Sequence, residues 1–297
     1  MIFNPRRFAR LLKWHAIHLL PRHDVEIETW NGSLTCDNKD WLIGKYLYLY
    51  RSYEADTIRL CIDLLKQEGY LEKAGNGLVL DVGANIGMIC IALLKHGYFS
   101  EAIAFEPNPN SYRLLTHNIS QNGLEEKIEC FPYALSSSER DADLELAKEN
   151  SGDNNLRYDT EHRAFREYAR ETVKVAVTTL DGFFTERSDQ AIEDLSLIWV
   201  DIQGHEGYFF QGAQRVLDRG VPVVSEFWPY GIKRSGMSLS DYSLVVNEMF
   251  THFYHLRDGR FEKMEIGCID ELYKIYEKPR EVSQIIYVRH PGNTSRR

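Results

Sequence analysis

Apolar residues recur along this chain with two different periods, and the switches between them outline an architecture. Glu54 to Gly69 places Ala55, Ile58, Ile62 and Leu65 on one helical face, with Gly69 just past its end. Leu78 to Val82 is instead a continuous apolar run of strand length, as a centrally buried parallel strand requires. The alternation then repeats. Ile86 to Lys95 reads as a helix closed near Gly97, and Ala102 to Phe105 as the second strand. Asn108 and Pro109 supply an N-cap and a first helical residue for a helix ending at Asn122-Gly123. Ile128 to Tyr133 reads as the third strand. A long polar stretch from Ser136 to Lys174 interrupts the pattern. Val173 to Thr178 looks extended and Leu180 to Thr185 helical. Leu195 to Val200 is a fourth buried strand, ending at Asp201. Tyr208 to Leu217 is a helix stopped by Gly220, and Val221 to Phe227 a fifth strand. Leu244 to Phe250 is helical, and His252 to Arg257 and Gln284 to Arg289 are final strands expected to pair antiparallel at one edge. Strands that alternate with helices predict an α/β fold with a seven-stranded, mostly parallel sheet and crossover helices.

Ahead of this domain, Val25 to Trp30 alternates weakly and reads as a short lead-in strand. Met1 to His23 contains Arg6, Arg7, Arg10, Lys13 and Arg22 and no acidic residue. The chain as a whole is acidic, with a net charge of −9 from 35 basic and 44 acidic residues. The residues after His23 therefore hold 30 basic against 44 acidic ones. As a helix, the basic stretch sets Phe8, Leu11, Leu12 and Leu19 on one face and Arg6, Arg10 and Lys13 roughly opposite. Lys13, His15 and His18 break any apolar run of signal-peptide or membrane-spanning type. The expected role is docking on the domain or on a dimer partner, with contact to an anionic membrane as the alternative. Residues 1–52 thus form a basic amphipathic lead-in to a single domain over residues 53–297. The acidic balance argues against nucleic acid as a partner. Five scattered cysteines without a CxxC pair argue against a zinc ribbon and fit a reducing, cytoplasmic setting.

The chemistry concentrates at Asp81 to Gly87, where the first core strand turns into its helix. Ligands of open parallel sheets bind beyond the strand ends, at this kind of turn. Gly83 allows a sharp turn and Gly87 a close helix–sheet approach. The turn reads Gly-Ala-Asn-Ile-Gly, so Asn85 stands where a dinucleotide fingerprint has its pyrophosphate-facing glycine. Asp81 at the strand end repels a diphosphate but suits an ammonium group. Glu106, 23 residues after Gly83, is placed to accept both hydroxyls of a ribose. These residues favour S-adenosylmethionine as cofactor. A nicotinamide dinucleotide and a purely structural turn stay open.

The ordered blocks Val79-Leu-Asp-Val-Gly-Ala-Asn-Ile-Gly87, Phe105-Glu-Pro-Asn-Pro109, Tyr133-Ala-Leu-Ser136, Val177-Thr-Thr-Leu-Asp181, Trp199-Val-Asp-Ile-Gln-Gly-His-Glu206 and Ser225-Glu-Phe-Trp-Pro229 resemble the FkbM family of class I S-adenosylmethionine-dependent methyltransferases. The likeness runs from about Tyr53 to Arg289. It implies a Rossmann-like class I methyltransferase fold, a seven-stranded sheet whose last strand is inserted antiparallel, with helices on both faces. It implies methyl transfer, usually to a hydroxyl of a sugar or natural product. By matched position, Asp81, Gly83, Asn85 and Gly87 would line the methionine end. Glu106 would hold the ribose, and Asn108 and Ala134 would flank the adenosine. His205 stands where the family usually has a small residue, and the charged segment from Tyr158 to Glu171 fits the pattern poorly.

Attack by a hydroxyl needs a base to take its proton, worth roughly 10²–10⁴-fold in rate. Asp201 ends the strand beside the glycine turn, so it is the first candidate. His205 has a side chain suited to accept a proton near neutral pH, and Asp201 or Glu206 would orient it. Glu206 also suits a helix N-terminus. Asp201, His205 and Glu226 are permissible ligands for a divalent metal, but their spacing is not diagnostic and no metal is assigned. Trp199 reads as core. Phe227-Trp228-Pro229-Tyr230 lies where aromatics either stack on an acceptor or pack. Asn150 to Asn155 reads as a lid. The acceptor is expected to be a small molecule or glycan. A peptide or nitrogen acceptor and a nicotinamide-dependent oxidoreductase are the alternatives.

Overall fold

The computed structural model describes residues 5–71, 76–158, 169–185, 187 and 189–289. Its strands are β1 (Asp24–Thr29), β2 (Gly32–Asp37), β3 (Leu78–Val82), β4 (Glu101–Phe105), β5 (Ile128–Phe131), β6 (Tyr133–Leu135), β7 (Arg140–Leu146), β8 (Asn155–Leu156), β9 (Glu171–Thr178), β10 (Leu195–Val200), β11 (Val223–Phe227), β12 (His252–Arg257), β13 (Arg260–Glu265) and β14 (Ser283–Val288). The main sheet has the order β13-β12-β14-β11-β10-β3-β4-β5. From β11 to β5 every neighbouring pair is parallel. β14 runs antiparallel to both β11 and β12, between which it is inserted.

This is the α/β sheet of a class I methyltransferase fold, with its antiparallel last strand and with apolar clusters on both faces. β14 fills the gap between β11 and β12, inserted as the family resemblance implies and not at an edge as the pattern alone suggested, and all of Ile285 to Val288 is buried. The strand count differs from the sequence reading. The sheet also has an eighth strand, β13, joined to β12 by a hairpin at Asp258-Gly259 with positive φ at both residues. That dipeptide is a hairpin signal. The strand behind it, Arg-Phe-Glu-Lys-Met-Glu, is mostly exposed and lacks the apolar run that marks a buried strand.

The polar stretch folds too. β6, β9, β7 and β8 form a second sheet, in that order. Its buried face is small, comprising Ala134, Leu144, Leu156, Val175 and Val177. So few apolar positions give little periodicity to read. Pro132 separates β5 from β6, so the run Ile128 to Tyr133 serves two sheets. Residues 159–168 of the charged segment lie outside the described ones.

The lead-in residues form helix α1 (Pro5–Leu19), the β1–β2 hairpin and helix α2 (Ile43–Tyr50), followed by α3 (Ala55–Gln67), α4 (Met88–Lys95) and α5 (Pro109–Gln121). Trp14 of α1 is fully buried against Gly44 of α2, where a Cβ would lie 2.9 Å from the indole. Trp14, Ile27, Leu34 and Leu47 join Ile58, Val79, Ile91 and Leu115 in one apolar cluster. The face of α1 that docks is therefore the one around Leu11, Trp14 and Ile17. Phe8, Leu12 and Leu19, expected on the docked side, are exposed. Among the described residues, no helix is long and apolar enough to cross a membrane.

Candidate active site

Parallel register decides which side chains meet. Asp81 lies level with Trp199 of β10 and Ala104 of β4. Val200 pairs with Ser225, so the next residues, Asp201 and Glu226, leave adjacent strands side by side. Beyond these strand ends is a cavity of about 870 Å³. That is near the top of the roughly 300–1,000 Å³ range of small-molecule sites, room for two ligands together. Asp81, Gly83, Asn85, Glu106, Ala134, Asp201 and His205 all line it.

The glycine turn is held by its neighbours. The N–H groups of Gly83 and Ala84 both donate to the Phe105 carbonyl at 3.0 Å. Gly83 has φ +84°, and a Cβ there would overlap the carbonyl oxygen of Asp201. Its glycine thus serves the approach of this turn to the Asp201 loop. Asn85 also has positive φ, at 51°. Gly87, at φ +89°, caps α4, and a Cβ on it would press on Ile91 and Leu115 at 2.8 and 2.9 Å. Gly87 is under the turn and does not line the cavity.

The carboxylates on this side are tied to backbone. Asp81 accepts the Cys90 N–H at 3.0 Å. Glu106 accepts the Asn85 N–H with one oxygen and the Asn108 N–H with the other, both at 2.8 Å. Burial pushes the Asp81 carboxyl up to about 6 and that of Glu106 up to about 7. The hydrogen bonds oppose this shift, and Asp201 adds to it at Asp81. Asn108 is spent on capping. Its side chain accepts the Asn110 N–H at 2.9 Å at the start of α5, and it does not line the cavity. Such a cap is worth about 1 kcal/mol to the helix.

On the other side, Asp201 is half-buried at the mouth of a loop with positive φ at Gln203 and Gly204. Gln203 Nε2 donates to Asp201 Oδ1 at 2.6 Å. Burial raises the Asp201 carboxyl above its ordinary value. Glu226 is raised well above its usual range, by burial first and then by Asp201, Glu206 and Glu54. Glu54 precedes α3 in a left-handed conformation and lines the same cavity, its carboxyl raised to about 7 by burial and Asp201. Nothing in the sequence marks Glu54, because a backbone φ of 50° turns it inward from what reads as an ordinary helix start.

Two sequence expectations are corrected here. Glu206 does not reach the cavity. Its Oε1 accepts the N–H groups of Ile202 at 3.1 Å and Gly204 at 3.3 Å, closing the loop at the start of helix Glu206–Gln211. His205 lines the cavity but is not poised near neutral pH. Burial, with Arg140 adding, pushes its imidazole down to about 3, so it is neutral. Its Nε2 meets Ser136 Oγ at 2.9 Å, and its ring stacks on Tyr208 at 4.8 Å. It is a weak base held as a wall. Phe227 and Trp228 are buried outside the cavity, with the Trp228 indole N–H on the Pro279 carbonyl. Trp199 is buried in the core and lines the cavity floor as well. Among the described residues, no three His, Cys, Asp or Glu side chains form a set able to hold a metal ion.

The segment expected to be a lid borders the cavity through Asn150, Ser151, Gly152, Asn154 and Asn155. The Ser151 N–H donates to Asp40 at 3.0 Å, and its hydroxyl to Asn85 Oδ1 at 3.3 Å. Asp153 accepts the buried Arg234 at 2.8 Å and also pairs with Arg170. Arg234 donates to the Gln203 carbonyl at 3.2 Å as well, linking this segment to the Asp201 loop.

Comparison with known proteins places this geometry. The methyltransferase FkbM domain family matches residues 81–258, more than half of the chain. Methyltransferase sdnD of Sordaria araneosa is 26% identical over 180 residues, covering 53% of this chain and 69% of its own length. A methyltransferase FkbM structure from Methylobacillus flagellatus superposes with a TM-score of 0.44 at 14% identity, covering 75% of this chain. This chain spans less than half of that one, 46%. TrmK of M. capricolum, solved with S-adenosyl-homocysteine, gives a TM-score of 0.35 at 9% identity, covering 76% of this chain and 68% of its own. At those scores neither structure carries an argument about activity.

Proposed function

The chain belongs to the FkbM methyltransferase family, and we propose that it transfers the methyl group of S-adenosylmethionine to a hydroxyl oxygen of a small molecule, sugar or glycan. One observation carries the choice of cofactor. Asp81, Asp201, Glu54, Glu106 and Glu226 face one cavity, against Arg59 as its one Lys or Arg among the described lining residues. That donor set fits a ligand with an ammonium, a sulfonium and a ribose diol. It repels a diphosphate.

Bound there, S-adenosylmethionine supplies a methyl group activated by its sulfonium. The chain supplies the rest. Asp81 would face the ammonium. Glu106 has spent one acceptor site per oxygen on backbone N–H groups, and its remaining lone pairs would take the ribose hydroxyls. Asp201 would remove the acceptor's proton, because it stands beside the glycine turn and burial raises its carboxyl, with Asp153 adding. Glu226 stands beside it, its own carboxyl raised by burial and then by Asp201. The cavity walls, Tyr53, Trp199 and the Asn150–Asn155 segment among them, strip water from the reacting pair. The acidic balance of the chain supports a cytoplasmic small-molecule enzyme over one that grips nucleic acid.

Isothermal titration with S-adenosylhomocysteine and, in parallel, NADH tests this reading. We expect micromolar binding of the first and none of the second. Asp81→Ala should weaken S-adenosylhomocysteine roughly tenfold or more, as loss of a hydrogen-bonded charge partner does. Binding of NADH alone would overturn the assignment.

A further inference from the structure

Helix α1 carries two apolar stripes. Leu11, Trp14 and Ile17 face the core. Phe8, Leu12 and Leu19, at spacing i, i+4 and i+11, face outward and are 49%, 57% and 83% exposed. Leu20 continues the outer stripe and is 51% exposed. Four large apolar side chains presented to water on one short stretch are more than the scattered exposure of an ordinary surface. A helix that served only to dock on its own domain would put its large apolar residues inward.

The charges around the outer stripe identify what it meets. Arg6 and Lys13 are exposed about a third of a turn around the helix from it, on the flank between the stripe and the docked face. Arg7 lies over the Tyr50 ring at 4.4 Å, and Arg10 donates to the Leu49 carbonyl at 3.1 Å. The helix thus presents a local basic band, although the rest of the chain is strongly acidic. Screening confines charge effects to about 8–10 Å, so the helix is felt by its own sign at a surface it touches. A second copy docking stripe to stripe would bring two basic bands together. A negatively charged bilayer surface is complementary to both features at once.

We infer that α1 is an interfacial helix that binds anionic membrane surfaces, inserting Phe8, Leu12, Leu19 and Leu20 while Arg6 and Lys13 meet lipid headgroups. The neighbouring helix α2 makes this consequential. Its Leu42 and Tyr46 are both exposed and both line the cavity. The cavity rim therefore sits on the helix against which the membrane anchor packs.

Vesicle co-sedimentation of the full chain tests the inference, comparing phosphatidylcholine alone with phosphatidylcholine containing a third phosphatidylglycerol. Binding is expected only with the anionic lipid, and should fall steeply with added salt. Arg6→Gln and Lys13→Gln should each weaken it about fivefold. Leu12→Glu with Leu19→Glu should abolish it. These positions are exposed, so the fold should survive, and unchanged S-adenosylhomocysteine binding would show that it does. Equal binding to both vesicle types, or variants that bind like the parent, would overturn the inference. So would sedimentation showing a dimer that Leu12→Glu converts to a monomer without any vesicle binding, since the stripe would then be a self-association face.

Discussion

The two walls of the cavity hold their carboxylates in opposite ways. On the Asp81–Glu106 wall, backbone N–H groups of Cys90, Asn85 and Asn108 grip the oxygens. On the facing wall, Asp201 is held by a single residue, Gln203, through its side chain and its backbone. Glu54 is raised by burial and then by Asp201, and Glu226 by burial and then by Asp201, Glu206 and Glu54, with Arg234 opposing. Under the function proposed here, that difference would separate recognition from reaction. Oxygens gripped by several backbone N–H groups stay in place and suit a cofactor of fixed shape. Oxygens crowded with like charge favour the protonated form and would suit proton transfer.

Several substitutions test that division, beginning with the most severe. Asp201→Asn removes the base but keeps its shape. Methyl transfer, followed with labelled cofactor and an acceptor pool, should fall roughly 10²–10⁴-fold, with S-adenosylhomocysteine affinity changed by no more than a few-fold. An equal loss of affinity would mean that both walls serve the cofactor.

Gly83→Ala strikes the recognition wall through the backbone. The new Cβ overlaps the Asp201 carbonyl at a φ that non-glycine residues avoid. Chemical denaturation should show a loss of about 1–3 kcal/mol, and cofactor binding should weaken with it. Wild-type stability would mean the two turns are not tightly apposed.

The pH response is smaller and has a definite sign. Glu54 and Glu106 are raised to about 7 and Asp81 to about 6, all above the values of an unfolded chain. The folded protein therefore binds more protons than the unfolded one between about pH 4 and 7. That stabilisation is full below the unfolded pKa values and is lost as pH rises through 6 to 7. The melting temperature without ligand should fall from pH 5 to pH 8. S-adenosylmethionine, being cationic, should raise it more at pH 8 than at pH 6. A ligand effect independent of pH would detach these carboxylates from the cofactor.

His205→Asn should do least. A ring whose pKa is pushed to about 3 titrates outside the working range, so the shape of the pH–rate profile should not change. Disappearance of a limb near neutrality would restore His205 as the base.

Much of this site was legible in the sequence because it is local. Asp81 to Gly87 lies on one strand and one turn, and Glu106 and Asp201 end strands whose apolar runs announce them. Legibility failed where side-chain direction decides. Glu206 directly follows a cavity residue, His205, yet it turns back onto its own loop. Glu54 reads as an outward helix residue and turns in. His205 has the intrinsic pKa of a base and loses it to burial, which depends on Ser136 and Tyr158 arriving from other elements.

The sequence by itself therefore determined the fold class, the strand ends that border the cavity and the acidic residues placed there. All three follow from periodicity, glycine placement and charge within short segments. The tertiary structure alone decided which carboxylates share a cavity and which way α1 turns its two stripes. It also decided what burial does to each pKa. Those depend on the register between strands and on the desolvation made by distant residues, neither of which is written in any one segment of the chain.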